Sequence, residues 1–588
     1  MKCYYKIYLF FALAFFCSCS HKVQVDLIVH NAVVYTVDSA FSNAQSFAVK
    51  DGNFVAVGSD DEILSHYDAK DIIDAKGKAV YPGFIDSHCH FYGYGKGLQE
   101  LDLTGTKSFD EVLEKVKAYA KTCKSSWIIG RGWDQNDWAV KEFPDRYQLD
   151  KLFPNTPVFL ERIDGHAALV NAEALRRAKI NADTKIKGGV IEIDLLTKEQ
   201  GGEFEWVDEN LKRELEHNGY PIPTPSGILV DNAVELVKKV IPEPTPEEIK
   251  TALLAAQKNC FAVGLTTVDD AGLEKKIVDA MDALQKSKEL KMRIYAMLTD
   301  NKENMDYYLQ HGIYKTERLD VRSFKFYADG ALGSRGACLL QPYSDRPEQQ
   351  GFLLSKPEHF DSAAWNMINH GFQMNTHCIG DSAVSLILHI YQENITKRRA
   401  LESQVPSKIT TRWRIEHFQV TTAYDIAYLK LVKNAGTTDI IPSVQPTHAT
   451  SDMYWAKDRI GPDRIKYAYA YNDLLKAAGM LAFGTDFPVE NINPLYTFYA
   501  AVARKDLKGS PAGGFQPENA LSRENTLRGM TIWGAFANFE ENEKGSIAPG
   551  KFADFVILDT DIMKCDIDKV PTTKVLYTFV NGENVFQQ

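Results

Sequence analysis

The feature that most constrains the fold of this chain is a series of short apolar segments separated by helical patterns. We find eight such segments, which begin at Phe84, Leu265, Met292, Phe324, Gln373, Arg412, Ile440 and Leu481. Strands that alternate with amphipathic helices are typical of βα units that build a parallel sheet. Eight units predict an α/β fold of the (β/α)₈ TIM-barrel type, formed by residues 81–90 and 246–543.

Both ends of the chain have a sequence pattern typical of β-strands without intervening helices. Short β-branched segments separated by turn residues occur between 25 and 57 and return between 553 and 580. The first group predicts an antiparallel meander with hairpin turns. Because the pattern is confined to the two ends, we expect residues 19–80 and 544–588 to form one composite β-sandwich.

A long interval separates the first two predicted barrel strands. Residues 91–245 lie between them, whereas a βα unit of such a barrel uses roughly 30 residues. A structureless loop of this length is improbable in a compact domain. The interval therefore predicts the first barrel helix followed by an inserted cap subdomain over the carboxyl ends of the strands, where barrel enzymes place their sites.

Composition and charge narrow the class of protein. Of the 588 residues 45% are hydrophobic, and the net charge is −11. The composition is globular, and without a dense run of Lys and Arg a nucleic-acid partner is not expected. Six cysteines follow residue 19 without any CxxC pair, which favours free thiols over a disulfide framework.

The N-terminus is predicted to be a targeting segment. Lys2 and Lys6 precede eleven apolar residues at 7–17, too few to span a bilayer. The sequence that ends at Cys19 resembles a bacterial lipobox, so residues 1–18 are expected to be a lipoprotein signal peptide and Cys19 to carry the lipid. An ordinary secretory signal and a buried apolar strand are the alternatives. Either signal predicts the cell envelope, as a membrane-anchored lipoprotein or a periplasmic protein.

Metal-ligating residue types recur at the ends of the predicted strands. His88 and His90 are two residues apart at the end of strand one, so both imidazoles lie on one side. His377, His417 and Asp486 end strands five, six and eight. Each residue alone is as well explained by a core or capping role, but five at one rim predict a site. Histidine and carboxylate ligands suit Zn²⁺ and related divalent ions.

Lys325 is a sixth candidate. Ser323, Lys325 and Tyr327 share one face of strand four, and Phe324 and Phe326 share the other, so the lysine is expected to point into the barrel. A buried, unpaired ammonium is costly. Carbamylation by CO₂ would convert this side chain into an anion able to bridge two metals, whereas a neutral or ion-paired lysine is the alternative.

These motifs together resemble the amidohydrolase superfamily, in the branch similar to N-substituted formamide deformylase. The resemblance rests on PGFIDSHCH at 82–90, GLTTVDDAG at 264–272, KFYADGALGSR at 325–335, HCIGD at 377–381, RIEH at 414–417, FGTDFPV at 483–489 and GSIAPGKFADFVIL at 545–558. It implies a (β/α)₈ barrel with a β-sandwich from both termini.

The resemblance also implies a ligand set and an activity. His88, His90, Lys325, His377, His417 and Asp486 match the positions that hold one or two divalent metals, Zn being expected. The implied reaction is hydrolysis of a carbon–nitrogen bond, amide or N-formyl, in a small molecule by metal-bound hydroxide, with Asp486 as general base and then acid. Superfamily members are often dimers, so a homodimer is a further expectation, although no segment indicates an interface.

Four residues are weaker candidates for substrate binding. Asp134 and His166 lie in the insertion and resemble signatures of this branch, although they would serve equally to stabilise its loops. Arg335 follows strand four and is expected either to meet a polar end of the substrate or to pair with an acid. His448 follows strand seven and is expected to line the pocket.

Two other functions stay open at this stage. A hydrolase of cyclic amides, imides or lactones, or a deaminase, would have the same fold. A non-catalytic binding lipoprotein of the envelope is a different class, disfavoured because a dead enzyme is free to lose its ligands.

Overall fold

A computed structural model describes residues 22–123, 125–200, 204–402, 410–434 and 440–588. The predicted signal peptide and Cys19 lie outside the described residues. Besides the short strand Tyr314–Lys315, which pairs antiparallel with Leu319–Tyr327, the central sheet contains eight parallel strands, numbered barrel strands 1 to 8 in chain order. They are Phe84–Cys89, Leu265–Leu273, Arg293–Thr299, Leu319–Tyr327, Gln373–Cys378, Arg414–His417, Ile441–Val444 and Ala482–Phe483.

Each barrel strand pairs with the next one in the chain, in parallel. The two outer strands approach each other beyond strand 8. The Asp486 N–H donates to the His88 carbonyl at 2.8 Å, and the His90 N–H donates to the Phe487 carbonyl at 2.8 Å. All eight strands were predicted, and the TIM-type barrel is confirmed.

Helices surround the barrel and cover its apolar outer face. Phe324 and Phe326 of strand 4 belong to the largest apolar core, as the period of two predicts. The helices of this region are Phe91–Gly97, Pro246–Ala262, Lys275–Lys286, Lys302–His311, Pro357–His370, Asp381–Glu402, Ala423–Asn434, Pro446–Asp452, Ala456–Arg464, Tyr471–Ala478, Pro494–Ala503, Arg523–Gly529 and Ile532–Ala537.

The two ends of the chain build two further sheets. A four-stranded sheet has the order Asn53–Gly58, Ser46–Lys50, Val23–His30 and Tyr67–Asp74, with helix Asp60–His66 beside it. A six-stranded sheet has the order Glu583–Gln587, Val575–Val580, Phe555–Leu558, Ala79–Pro82, Val33–Tyr35 and Asn43–Ala44. One apolar cluster contains residues of both sheets, among them Phe47 and Phe555.

The predicted antiparallel meander is right for three of its strands, because Ser46–Lys50 pairs antiparallel with both Val23–His30 and Asn53–Gly58. It is wrong for Val33–Tyr35. Val23–His30 pairs in parallel with Tyr67–Asp74, and the next strand, Val33–Tyr35, belongs to the other sheet, where it pairs in parallel with Ala79–Pro82. Short spacing along the chain favours antiparallel neighbours and does not predict the parallel pairings that Val23–His30 and Val33–Tyr35 make.

The interval between barrel strands 1 and 2 contains a sheet of its own. Its order is Gly189–Leu196, Ile222–Asp231, Ala167–Val170, Val158–Arg162, Ile128–Trp133 and Leu101–Asp102. Helices Phe109–Ala120, Tyr147–Leu152, Ala172–Ala178, Glu209–Asn218 and Val234–Lys238 accompany it. Three apolar clusters lie within this region, so it has its own core.

Two further properties concern the whole described chain. Among the residues that the structure describes, none forms a helix long and apolar enough to cross a membrane. Six cysteines are free thiols: Cys89, Cys123, Cys260, Cys338, Cys378 and Cys565.

Candidate metal centre

The two histidines of barrel strand 1 are each held through one ring nitrogen. His88 Nδ1 lies 2.5 Å from Glu416 Oε2, and His90 Nδ1 lies 3.0 Å from the carbonyl oxygen of Ala271. Both acceptors are oxygens that cannot donate, so each Nδ1 carries the proton. The two Nε2 atoms are therefore unprotonated and carry a lone pair, the form in which imidazole binds a metal.

Asp486, in the segment after strand 8, lies close to the Nε2 atoms of both histidines. Asp486 Oδ1 is 3.2 Å from His90 Nε2 and 3.6 Å from His88 Nε2. Its φ of +63° is in the left-handed region, which non-glycine residues rarely adopt. Such backbone conformations cluster at functional sites because the surrounding structure has to impose them.

The histidines of strands 5 and 6, His377 and His417, continue the row of imidazoles that begins at His90 and His88. The His417 ring centroid is 4.8 Å from that of His88 and 4.5 Å from that of His377. His417 also has a left-handed φ, of +71°. His377 Nε2 is 3.4 Å from the Gly330 carbonyl oxygen and 3.6 Å from Asp329 Oδ1.

Lys325 points into the barrel, as its face of strand 4 predicts. Its Nζ is 3.0 Å from His88 Nε2, and the residue is 1% exposed. Burial lowers the pKa of Lys325 to about 8. The amine is thus partly unprotonated near neutral pH, and the unprotonated amine is the form able to react with CO₂.

The electrostatics of the histidines suit metal binding. Burial, together with the Lys325 ammonium, lowers the pKa of His88 to about 4, and burial lowers that of His377 and His417 well below the usual value. Although burial raises it, the pKa of Asp486 is held below its ordinary value by His90 and His88. At neutral pH the imidazoles are neutral and the carboxylate is charged, the states that metal ligands need.

The donor set fits a divalent ion. Within the described residues, His88, His417 and Asp486 each offer one ligand atom, and these atoms lie within 4.8 Å of one another. Asp486 Oδ1 and His417 Nδ1 are buried without a hydrogen-bond partner. Buried polar atoms are normally satisfied, so two unpaired ligand atoms in this group fit a site that binds a cation.

A cavity of about 670 Å³ opens over this group. The candidate ligands His90, Lys325, His377, His417 and Asp486 form its floor. Its walls come from two regions, the barrel loops and the insertion. Residues of the insertion in the lining are Leu98, Glu100, Asp102, Thr104, Gly105, Arg131, Gly132, Asp134, Asp137, Arg162, Ile163, Asp164 and His166.

The predicted substrate residues are placed in different ways. His166 lines the cavity, with its ring centroid 5.0 Å from that of His377, and His448 Nε2 lies 3.6 Å from Asp486 Oδ2. Asp134 also lines it, but its carboxylate pairs with Arg162. Arg335 is not among the lining residues: its guanidinium pairs with Asp345 at 2.9 Å, the acid-pairing alternative.

Sequence reasoning missed several buried acids at this site, and three of them show the available signals. Glu416 contacts His88, Asp231 contacts His166 at 2.7 Å, and Asp86 accepts from the Thr485 hydroxyl at 2.7 Å, joining strand 1 to the segment after strand 8. Glu416 and Asp86 lie within the RIEH and PGFIDSHCH motifs. The available signal was an acid one or two residues before a ligand histidine, since Glu416 precedes His417 by one residue and Asp86 precedes His88 by two. Asp231 had no signal, because its partner is 65 residues away.

Comparison with known proteins agrees with this geometry. The sequence profile of the amidohydrolase family matches residues 71–199 and 222–586. The chain belongs to the amidohydrolase family. It is similar to N-substituted formamide deformylase of Arthrobacter pascens, with 26% identity over 95% of this chain and 97% of that protein.

Two further similarities cover nearly all of both chains. The protein LONG AFTER FAR-RED 3 of Arabidopsis thaliana is 31% identical over 96% of this chain and 92% of its own length. Among solved structures, an uncharacterized metal-dependent hydrolase from Pyrococcus horikoshii has a TM-score of 0.70 and 27% identity, covering 92% of this chain and 99% of that one. The predicted superfamily branch is confirmed, and membership of this family supports hydrolase activity.

Proposed function

We propose that the protein hydrolyses a carbon–nitrogen bond other than a peptide bond, in a small molecule of the amide or N-formyl class. The observation that carries the proposal is the pair His88 and His90. Each ring is tied through Nδ1, and both Nε2 atoms converge on Asp486. Lys325, His377 and His417 surround the same point.

These six residues would hold one or two divalent ions, and Zn²⁺ suits their nitrogen and oxygen donors. Such an ion supplies Lewis-acid polarisation of a carbonyl and lowers the pKa of water. Lys325, as its carbamate, would add an anionic ligand between two ions.

The proton transfers fall to Asp486. Its carboxylate is charged and contacts both strand-1 histidines, so it can take the proton of the attacking water as general base. The same group then returns that proton to the departing nitrogen, which leaves as a neutral amine. General acid–base catalysis of this kind contributes about 10²- to 10⁴-fold to a rate.

Substrate recognition is proposed to lie in the walls of the cavity. The insertion acts as a cap over the carboxyl ends of the strands and provides His166 and Asp134, while His448 comes from the barrel. The four- and six-stranded sheets of the termini are proposed to form the β-sandwich, on the strength of their shared apolar cluster. Arg335 is not proposed to bind substrate, because it pairs with Asp345 and does not line the cavity.

The location of the protein is a separate proposal that rests on the sequence. The basic and apolar segment before Cys19 supports lipidation at that residue and attachment to a membrane of the cell envelope.

A substrate panel tests the proposed reaction. The purified protein, loaded with Zn²⁺ or Mn²⁺, is incubated with N-formyl amines, N-acyl amines, aminated rings and cyclic amides, imides and lactones. Release of amine, ammonia or acid is measured, and binding of each compound is measured by calorimetry. We expect the linear N-formyl or N-acyl group to be cleaved, and Asp486→Asn to lose turnover by about 10²- to 10⁴-fold.

Other results of the panel would favour the alternative functions. Cleavage of the cyclic compounds alone favours the cyclic amide or lactone alternative, and release of ammonia from an aminated ring favours a deaminase. Ligand binding without turnover by the metal-loaded protein favours the non-catalytic lipoprotein. Near wild-type turnover by Asp486→Asn overturns the role of Asp486.

A further inference from the structure

We propose that Glu416 is a positioning residue for the metal centre, which acts by fixing the ring of His88 from behind. The inference rests on the proposed function only in requiring that a metal binds. Nothing in the sequence motifs assigns a role to Glu416, and it is not one of the candidate ligands.

The contact between the two side chains is short and dry. Glu416 Oε2 is 2.5 Å from His88 Nδ1, and both side chains are 0% exposed. No solvent reaches the pair to replace a lost hydrogen bond. The ring can therefore keep this orientation only while Glu416 accepts the Nδ1 proton.

The other oxygen of Glu416 is fixed independently. Arg414 Nε donates to Oε1 at 2.7 Å, and both residues lie on the same face of barrel strand 6. Arg414 also donates to Asp269 Oδ2 at 2.7 Å and to the Ser87 carbonyl. One carboxylate oxygen of Glu416 thus contacts His88, and the other accepts a hydrogen bond from Arg414.

The hydrogen bonds that hold Arg414 extend to other elements of the barrel. Asn538 Nδ2 donates to Asp269 Oδ1 at 2.6 Å, so the chain of contacts joins barrel strands 1, 2 and 6 with the residue after helix Ile532–Ala537. Asp269, Arg414 and Glu416 are all buried. A buried and fully connected network holds its members in one geometry, because every alternative leaves a charge unpaired.

The opposite side of the ring shows what this arrangement accomplishes. His88 Nε2 faces Lys325 Nζ at 3.0 Å and Asp486 Oδ1 at 3.6 Å, on the floor of the cavity. A carboxylate behind a histidine fixes its tautomer and makes the free nitrogen a stronger metal ligand. A purely structural acid would neutralise Arg414 without needing contact with the imidazole.

Metal affinity of the whole chain separates these two roles. Glu416→Gln keeps the shape, and Glu416→Asp keeps the charge beside Arg414 but shortens the reach to His88. Asp320→Asn is the matched control, since Asp320 is a buried acid near the start of barrel strand 4, 3.7 Å from Lys315 and away from the ligands. Each protein is stripped of metal, checked by circular dichroism and titrated with Zn²⁺ against a chromophoric chelator.

We expect both Glu416 variants to bind Zn²⁺ about 10- to 100-fold more weakly, the usual effect of removing such a partner, while Asp320→Asn binds like wild type. Should Glu416→Gln fail to fold, Glu416→Asp carries the comparison. Wild-type affinity in a folded Glu416 variant overturns the inference, as does an equal loss in Asp320→Asn. A wild-type chain that binds Zn²⁺ but cleaves no substrate contradicts the proposed function alone, and one that binds no metal overturns both.

Discussion

His166 Nδ1 lies 2.7 Å from Asp231 Oδ1, so the insertion delivers to the cavity a histidine that is supported by a buried carboxylate. Two glycines of the loop after barrel strand 4 close around this acid. A Cβ on Gly330 would lie 2.5 Å from Asp231 Oδ1, and one on Gly336 would lie 2.4 Å from Oδ2. The geometry of the His166–Asp231 pair therefore depends on contact between the insertion and the barrel.

This relationship predicts that Asp231 orients His166 toward substrate. Although burial lowers it, the pKa of His166 is raised above its usual value by the Asp231 carboxylate. Asp231→Asn and His166→Gln should each lower kcat/KM by about 10- to 100-fold. A hydrogen bond to a charged group contributes about 1.5–3 kcal/mol, and each substitution removes one. Metal content should stay unchanged.

Steady-state kinetics with the substrate found in the panel, together with metal analysis, check this expectation. Asp345→Asn is the control, because Asp345 pairs with Arg335 outside the cavity lining. Unchanged kcat/KM in both Asp231→Asn and His166→Gln would contradict the prediction.

Carbamylation of Lys325 should rise with pH. Only the unprotonated amine reacts with CO₂, and burial lowers the pKa of Lys325 to about 8. The unprotonated fraction is therefore small at pH 7 and dominant at pH 9. Metal-free protein equilibrated with ¹³C-bicarbonate should show a carbamate signal by ¹³C NMR that grows over this interval. The signal should vanish in Lys325→Met, and a signal that persists there belongs to another amine.

Gly484→Ala should disturb the approach of barrel strands 8 and 1. The added Cβ would lie 2.5 Å from the backbone nitrogen of His88, too close for the two segments to keep their spacing. We expect a loss of about 1–3 kcal/mol in the free energy of unfolding, as for other overpacked sites, and weaker metal binding because Asp486 moves away from the histidines.

Denaturant unfolding and Zn²⁺ titration measure both effects of this substitution. Gly93→Ala is the control, since its Cβ would meet only the His90 Cβ, at 3.4 Å, and should be tolerated within helix Phe91–Gly97. Equal stability of Gly484→Ala and wild type would show that this contact does not set the spacing.

Cys19→Ser should release the protein from the membrane fraction if Cys19 carries the lipid. In a bacterial host that processes lipoproteins, wild type is expected in the membrane pellet and in the detergent phase of a phase-partition assay. The variant should lose both properties while it keeps its metal content. Wild type found wholly in the soluble fraction contradicts lipidation.

The sequence predicted much of the barrel because strands and helices of a βα unit have different periods. Lys325 was expected to face inward from the alternation in strand 4, and Phe324 and Phe326 do lie in the outer core. The terminal sheets were harder, since a strand such as Val33–Tyr35 pairs with Ala79–Pro82 rather than with its neighbour in the chain. Local spacing does not encode such a choice.

The sequence by itself determined which residue types stand at the ends of the barrel strands, and therefore what kind of chemistry this family member has available. Only the tertiary structure decided how they are aimed. His417 and Asp486 reach the cavity through left-handed backbone conformations, and Glu416 and Asp231 hold histidines that are 328 and 65 residues away. Those arrangements arise when closure of the barrel buries polar groups and requires each to find a partner, a condition that no local pattern contains.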